Sequence, residues 1–258
     1  MEQIPWDKVF IEDEAKIESE GKEIPPKTVL IAYNSYLKTG NDSEISKHGA
    51  QLKDGERLVT LFLELCETYF NERPAGRLLD VGCGAGHLTE AFRQKGFEVL
   101  GIDILKSAVS IAASKYPDCE FKVFNARYSD NFGGKCFDVI HMREFYPFTR
   151  SGDFEKQKDL ILDYCKILKN NGYMVIIGSN WCIDRHMNYH KMVNYLNEYH
   201  NSELQAIGPF YESLHRYFSW IRRSKFCINV SQPLWQVICR VLKRYPWNYL
   251  IIRKHNKK

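Results

Sequence analysis

The sequence predicts a doubly wound α/β domain on a seven-stranded, mostly parallel sheet. Three observations lead there. Short, continuously apolar segments alternate with segments of helical periodicity, turn residues separate them at close intervals, and a glycine-rich turn directly follows the first apolar segment. Strands apolar on both faces belong to a parallel sheet covered by helices on each side.

Residues 1–53 are polar and irregular, with Pro5, Pro25 and Pro26, and read as an N-terminal arm. From Asp54, a candidate N-cap, Leu58, Leu61, Phe62, Leu65 and Tyr69 form one apolar helical stripe that Pro74 stops. Arg77–Val81 reads as the first strand, His87–Lys95 as a helix closed by Gly96, and Phe97–Ile104 as the second strand. A helix over Ser107–Tyr116 ends before Pro117, and strands follow at Glu120–Phe124 and Phe137–Met142. Asp153 caps a helix carrying Leu160, Ile161, Tyr164 and Leu168, which Asn170-Asn-Gly172 ends before a fifth strand at Tyr173–Gly178. Residues 54–180 therefore form the core. Residues 181–258 complete it with an aromatic and His-rich stretch, a strand at Phe226–Val230, a helix from Pro233 with Leu234, Val237, Ile238, Val241 and Leu242 on one side, and a last strand at Asn248–Arg253.

The chain has 258 residues, 44% of them hydrophobic and 14% aromatic, enough to bury a core. No apolar run nears the roughly eighteen residues of a membrane span. The first 25 residues are acidic, unlike a secretory signal. The eight cysteines lack metal or redox spacing and read as free thiols, so a cytoplasmic protein is expected. Lys and Arg number 36 against 32 Asp and Glu, but residues 216–258 hold eleven of the cations and no acid, which leaves −7 for residues 1–215.

The sharpest local signal is Asp80-Val-Gly82-Cys83-Gly84-Ala-Gly86 between a strand and a helix. A dinucleotide fingerprint places its third glycine at the sixth position, which is His87 here, and no Lys-Ser/Thr follows for a Walker loop. The order of acidic residue and Gly-x-Gly-x-Gly instead resembles the class I S-adenosylmethionine-dependent methyltransferases, matched by Asp80, Gly82, Gly84 and Gly86. The resemblance covers about residues 54–180. It implies that small residues let the backbone approach the cofactor and that Asp80 suits a ligand carrying an ammonium and a sulfonium. It further implies that Asp103, with Ile104 beside it, accepts the ribose hydroxyls, that Asn125 and Ala126 meet the adenine, and that Phe137–Met142 is the fourth-strand motif, Met142 ending it at the cofactor. Cys83 lends its backbone and has no basic partner that would make it a nucleophile. The N-terminal arm is the usual lid of such enzymes, so Tyr33, Tyr36 and His48 either close over the cofactor or acceptor or simply pin the arm to the domain.

Methyl transfer is an in-line displacement, so positioning an acceptor about 3 Å from the methyl carbon supplies most of the acceleration. Acceptor residues are expected after strands four and five. His141 is either a buried hydrogen-bonded imidazole or a base, and Glu144 either deprotonates a hydroxyl or serves as a surface carboxylate beside Arg143. His186 and His190 have the spacing of one helix face, but no third ligand completes a metal site, so none is assigned. The resemblance also implies that amide- and amine-methylating relatives carry an Asn-Pro-Pro-Tyr type motif after the fourth strand; none occurs at Met142–Phe148, so an oxygen acceptor on a small molecule is expected. An RNA methyltransferase and an inactive cofactor-binding subunit are the competing readings. The basic C-terminal block is either a solvated face or a site for anionic lipid or a phosphorylated acceptor; nucleic acid is disfavoured because no RNA-binding module is present.

Overall fold

The computed structural model describes residues 52–255 except 135, 150–151, 180–186, 201, 212–213, 215–218 and 242–246. The chain runs α1 (Leu52–Phe70), β1 (Arg77–Val81), α2 (His87–Gln94), β2 (Glu98–Asp103), α3 (Lys106–Lys115), β3 (Glu120–Val123) and β4 (Phe137–Arg143). It continues through α4 (Tyr146–Thr149), α5 (Phe154–Ile167), β5 (Leu168–Ser179), α6 (Tyr189–Tyr199), β6 (Leu204–Tyr211), α7 (Lys225–Val241) and β7 (Trp247–Lys254). The expected arm, with Tyr33, Tyr36 and His48, lies outside the described residues.

Seven strands form one sheet in the order β3-β2-β1-β4-β5-β7-β6, as the fold class requires. Strands β1 to β5 are parallel, and β7 runs antiparallel to both β5 and β6. Successive strand residues supply opposite faces. Leu78, Val139, Val175 and Ile251 pack with Leu58, Phe62 and Phe92 from α1 and α2. Their neighbours Leu79, Ile140, Ile176 and Ile252 pack with Ile161 and Tyr164 of α5 and Met192 and Leu196 of α6. This double burial is why the strands read as unbroken apolar runs.

Four expectations need correction. Helix α1 starts at Leu52, so Asp54 lies in its first turn and is not the cap; Asn71, in a left-handed conformation (φ 54°), ends it. Asn170-Asn171-Gly172 does not end a helix: α5 stops at Ile167, and the triplet forms an excursion within β5, where the register jumps from Phe137–Leu168 to Val139–Tyr173. The sixth strand is Leu204–Tyr211, whose Gly208-Pro209 pair sits at a register shift on the sheet edge, where a missing N–H is tolerated. The Asn197 amide both donates to the Ala206 carbonyl and accepts from its N–H, at 2.8 Å each, fastening α6 to that strand.

The fourth correction concerns Phe226–Val230, which is helix, not strand. Helix α7 runs through Pro233 and buries Ile228 and Gln232, while Phe226, Val230, Leu234 and Val237 are exposed. Leu234 and Val237 thus face solvent. A five-residue apolar window fits strand and helix equally, and only the i, i+4 repeat of 226, 230 and 234 decides for helix.

Candidate functional site

The strand order reverses between β1 and β4, and in open α/β sheets the crevice outside the carboxyl ends of such strands takes the ligand. The glycine turn occupies that place. Gly82, Gly84 and Gly86 have φ of 74°, 53° and 79°, a region that side chains rarely enter. The N–H groups of Gly82 and Cys83 both donate to the Ile102 carbonyl, at 2.8 and 2.9 Å, and lash the turn to β2. Asp103, half-buried at the end of β2, spans the gap: Oδ2 accepts from the Gly84 N–H and Oδ1 from the Leu105 N–H, both at 2.9 Å. Burial raises its pKa, and these amide donors pull against that shift.

Asp80 has a different task from the one its position suggests. It is 2% exposed, and it accepts from Thr89 Oγ1 at 2.6 Å through one oxygen and meets His141 Nδ1 at 2.7 Å through the other. Both carboxylate oxygens therefore serve the joint of β1, β4 and α2. Gly86 is likewise a packing residue, since a Cβ there would lie 2.7 Å from Phe121 Cζ and 2.9 Å from Ala112 Cβ.

His141 is fully buried, paired with Asp80 and tilted against the Phe92 ring at 5.1 Å, which removes it from the candidates for an acceptor base. The Met142 side chain is also fully buried, in the opposite core layer, so only its backbone reaches the strand end. Cys83 is buried, and burial pushes its thiol well above the usual range, which fits an inert residue of the turn. Ile104, Asn125 and Ala126 are half-buried beyond β2 and β3; Asn125 Oδ1 accepts from the Arg127 N–H at 3.1 Å, and the Ala126 carbonyl accepts from Tyr164 at 2.7 Å.

Glu144 follows β4 with φ 48°, a left-handed conformation uncommon for a residue with a side chain. Its N–H donates to the Ile177 carbonyl at 2.8 Å, which ties the bend to β5. A Cβ on Gly178 would lie 2.5 Å from the Tyr189 hydroxyl and 3.6 Å from a Glu144 carboxylate oxygen, so the absent side chain leaves these two groups converging at the end of β5. Tyr189 is buried, and burial first and the nearby Glu144 charge second hold its pKa far above the usual phenol value. A Cβ on Gly82 would touch Phe145 at 3.4 Å, so the glycine turn and the Glu144 bend adjoin. Arg143 lies over the Trp247 ring at 4.2 Å, and burial lowers its pKa.

Sequence reading missed Tyr189 and Thr89. Asn188, whose side chain accepts from the Lys191 N–H as the cap of α6, was the available signal for Tyr189; Thr89 had none beyond its place in the first turn of α2. His186 lies outside the described residues. His190, in the first turn of α6, lines a cavity of about 380 Å³ between β6 and α7 with Tyr69, Phe210 and Gln236. No wall of that cavity comes from the glycine turn.

A family model described as a methyltransferase domain matches residues 49–216. The chain belongs to this methyltransferase family. Its sheet order and glycine turn make it a class I member, whose methyl donor is S-adenosylmethionine. The ubiquinone biosynthesis O-methyltransferase of Rickettsia typhi is 25% identical over 124 residues, 47% of this chain and 48% of that one, and its Pelagibacter ubique counterpart is 33% identical over 106 residues, 40% and 42% respectively. The chain thus spans about half the length of these curated relatives. The uncharacterized methyltransferase YcgJ of Bacillus subtilis is 26% identical over 212 residues, 71% of this chain and 79% of the other. Among solved structures, the plantazolicin methyltransferase BpumL in complex with S-adenosylhomocysteine superposes with a TM-score of 0.58 at 14% identity over 96% of this chain and 100% of that one, a likeness of fold. Among the described residues of this methyltransferase, no helix is long and apolar enough to cross a membrane.

Proposed function

We propose that this methyltransferase methylates an oxygen atom of a small-molecule acceptor, with Glu144 taking the hydroxyl proton. The observation that carries the reading is the strained Glu144 bend, which brings a carboxylate and the Tyr189 hydroxyl together beside the glycine turn. Strain of this kind persists only where surrounding structure enforces it, and it concentrates at functional sites. The O-methyl transfer named for the Rickettsia and Pelagibacter relatives supports the same acceptor atom.

The residues present fit the donor. The left-handed glycines leave a concavity without side chains, Asp103 keeps lone pairs beyond its two amide donors for the ribose hydroxyls, and half-buried Ile104, Asn125 and Ala126 flank an adenine place. When bound, S-adenosylmethionine supplies an electrophilic methyl group on a sulfonium. Glu144 accepts the acceptor's O–H proton as the oxygen forms its bond to the methyl carbon and the carbon–sulfur bond breaks, its electron pair returning to sulfur. Tyr189, kept neutral by burial, remains a hydrogen-bond donor beside that carboxylate. Asp80 and His141 position the turn and do not touch the reacting atoms.

The test is release of S-adenosylhomocysteine with a panel of hydroxylated aromatic and aliphatic metabolites, matched amines, and RNA. Glu144→Gln should lower kcat with hydroxyl acceptors by about 10²–10⁴ with cofactor affinity unchanged. Turnover of amines or RNA but not of alcohols, or full activity of Glu144→Gln, refutes the assignment.

A further inference from the structure

We propose that the exposed face of α7 docks this methyltransferase onto an anionic lipid surface. Phe226, Val230, Leu234 and Val237 are 75%, 61%, 64% and 56% exposed, and their spacing places them on one arc of the helix, opposite the buried Ile228. Trp220, 62% exposed, lies in the 3₁₀ turn Ser219–Arg223 just before α7. Scattered exposed apolar residues need no explanation, but a continuous stripe on a helix whose other face is already packed does.

Charge selects the occupant. Residues 216–258 contain no Asp or Glu, and of their eleven Lys and Arg only Arg253 and Lys254, on β7, are taken up by Glu72 and by the Cys165 and Leu168 carbonyls among the described contacts with acids and carbonyls. Arg223 and Lys225, both exposed, stand at the start of α7, where the helix dipole is positive and no acidic residue occupies the first turn. That placement is unfavourable for the isolated helix and becomes favourable against a negative surface. A second copy of this chain fits poorly, since a two-fold contact through the same segment would offer Arg223 and Lys225 no acidic residue. The side chains of Phe226, Val230, Leu234 and Val237 carry no hydrogen-bonding group, which suits insertion into a fluid headgroup boundary. A helix with an aromatic and aliphatic face between cations lies in the plane of such a boundary, about 5–10 Å deep.

The test is co-sedimentation of the full chain with vesicles of equal parts phosphatidylglycerol and phosphatidylcholine, and with pure phosphatidylcholine. Binding should occur to the anionic vesicles alone and weaken as salt is raised. Val230→Gln with Leu234→Gln should reduce partitioning more than tenfold without lowering the melting temperature, because both side chains already face solvent. Lys225→Gln should reduce it about fivefold and keeps the test intact if the double variant fails to fold. No binding at low salt, binding unchanged in these variants, or a concentration-dependent dimer that the double substitution dissolves would each overturn the proposal.

Discussion

Asp103, the residue proposed to meet the cofactor ribose, also holds the glycine turn, and its replacement separates the two contributions. In Asp103→Ala the N–H groups of Gly84 and Leu105 lose their acceptors, each bonded at 2.9 Å. Hydrogen bonds to a charged group contribute about 1.5–3 kcal/mol each, and because the carboxylate is only half-buried the freed amides gain water, so about 3 kcal/mol for the pair is expected. For a domain of this size that lowers the melting temperature by roughly 10 °C. One lost contact to the ribose should weaken S-adenosylmethionine binding by a further 1.5–3 kcal/mol, about ten- to a hundredfold in Kd. Asp103→Asn keeps one oxygen and should fall between. Calorimetric titration and thermal unfolding on the same samples measure both terms. The pH dependence has a definite sign. Burial raises the folded-state pKa of Asp103 above the unfolded value of about 3.9, so the folded chain holds that proton more tightly. Its contribution to stability is full below pH ~3.9 and is lost as pH rises through the raised folded value. Stability of the wild type relative to Asp103→Asn should therefore decline as pH increases from about 4, while cofactor affinity, which needs the ionised acceptor, rises over the same window. Unchanged Kd in Asp103→Ala, or a stability difference flat across that window, would refute the assignment.

Gly86→Ala places a Cβ 2.7 Å from Phe121 at φ 79° and should destabilise by about 2–4 kcal/mol by chemical denaturation, with part of that recovered in combination with Phe121→Leu. Asp80→Ala leaves Thr89 and His141 unpaired inside the sheet joint and should cost about 3–5 kcal/mol, visible in the same assay. Tyr189→Phe should lower kcat about tenfold while leaving the alkaline side of the pH–rate profile in place, because the phenol does not ionise in the ordinary range.

The sheet was legible because five of its strands are apolar on both faces and the glycine turn gives the first of them an orientation. What escaped reading shares one physical cause: the signal was local while the deciding contact was distant. Phe226–Val230 looked like a strand because its apolar residues were counted without asking which element covered them. Leu204–Tyr211 was hidden by Gly208-Pro209, which an edge strand tolerates and a central one does not. Asp103 is legible from its position at the end of β2, and its bonds to Gly84 and Leu105 hold it there. Glu144 was one of several polar residues after β4, and only its left-handed φ and the approach of Tyr189, forty-five positions later, single it out.

The motif that identifies the family divides its residues between two tasks. Asp80 holds Thr89 and His141, and Gly86 admits Phe121 and Ala112, so the acidic residue and the last glycine set the angle at which α2 leaves β1. Gly84 and Asp103 are joined to each other, and Gly82 adjoins Phe145 next to the Glu144 bend, so these positions face the crevice. Substitution at Asp80 or Gly86 should therefore appear first as loss of folded protein, and substitution at Asp103 as loss of affinity in protein that still folds. The motif can consequently remain readable where the acceptor has changed, because half of it answers to packing, and Glu144 and Tyr189, the residues proposed to meet the acceptor, follow β4 and open α6, where no shared spacing announces them.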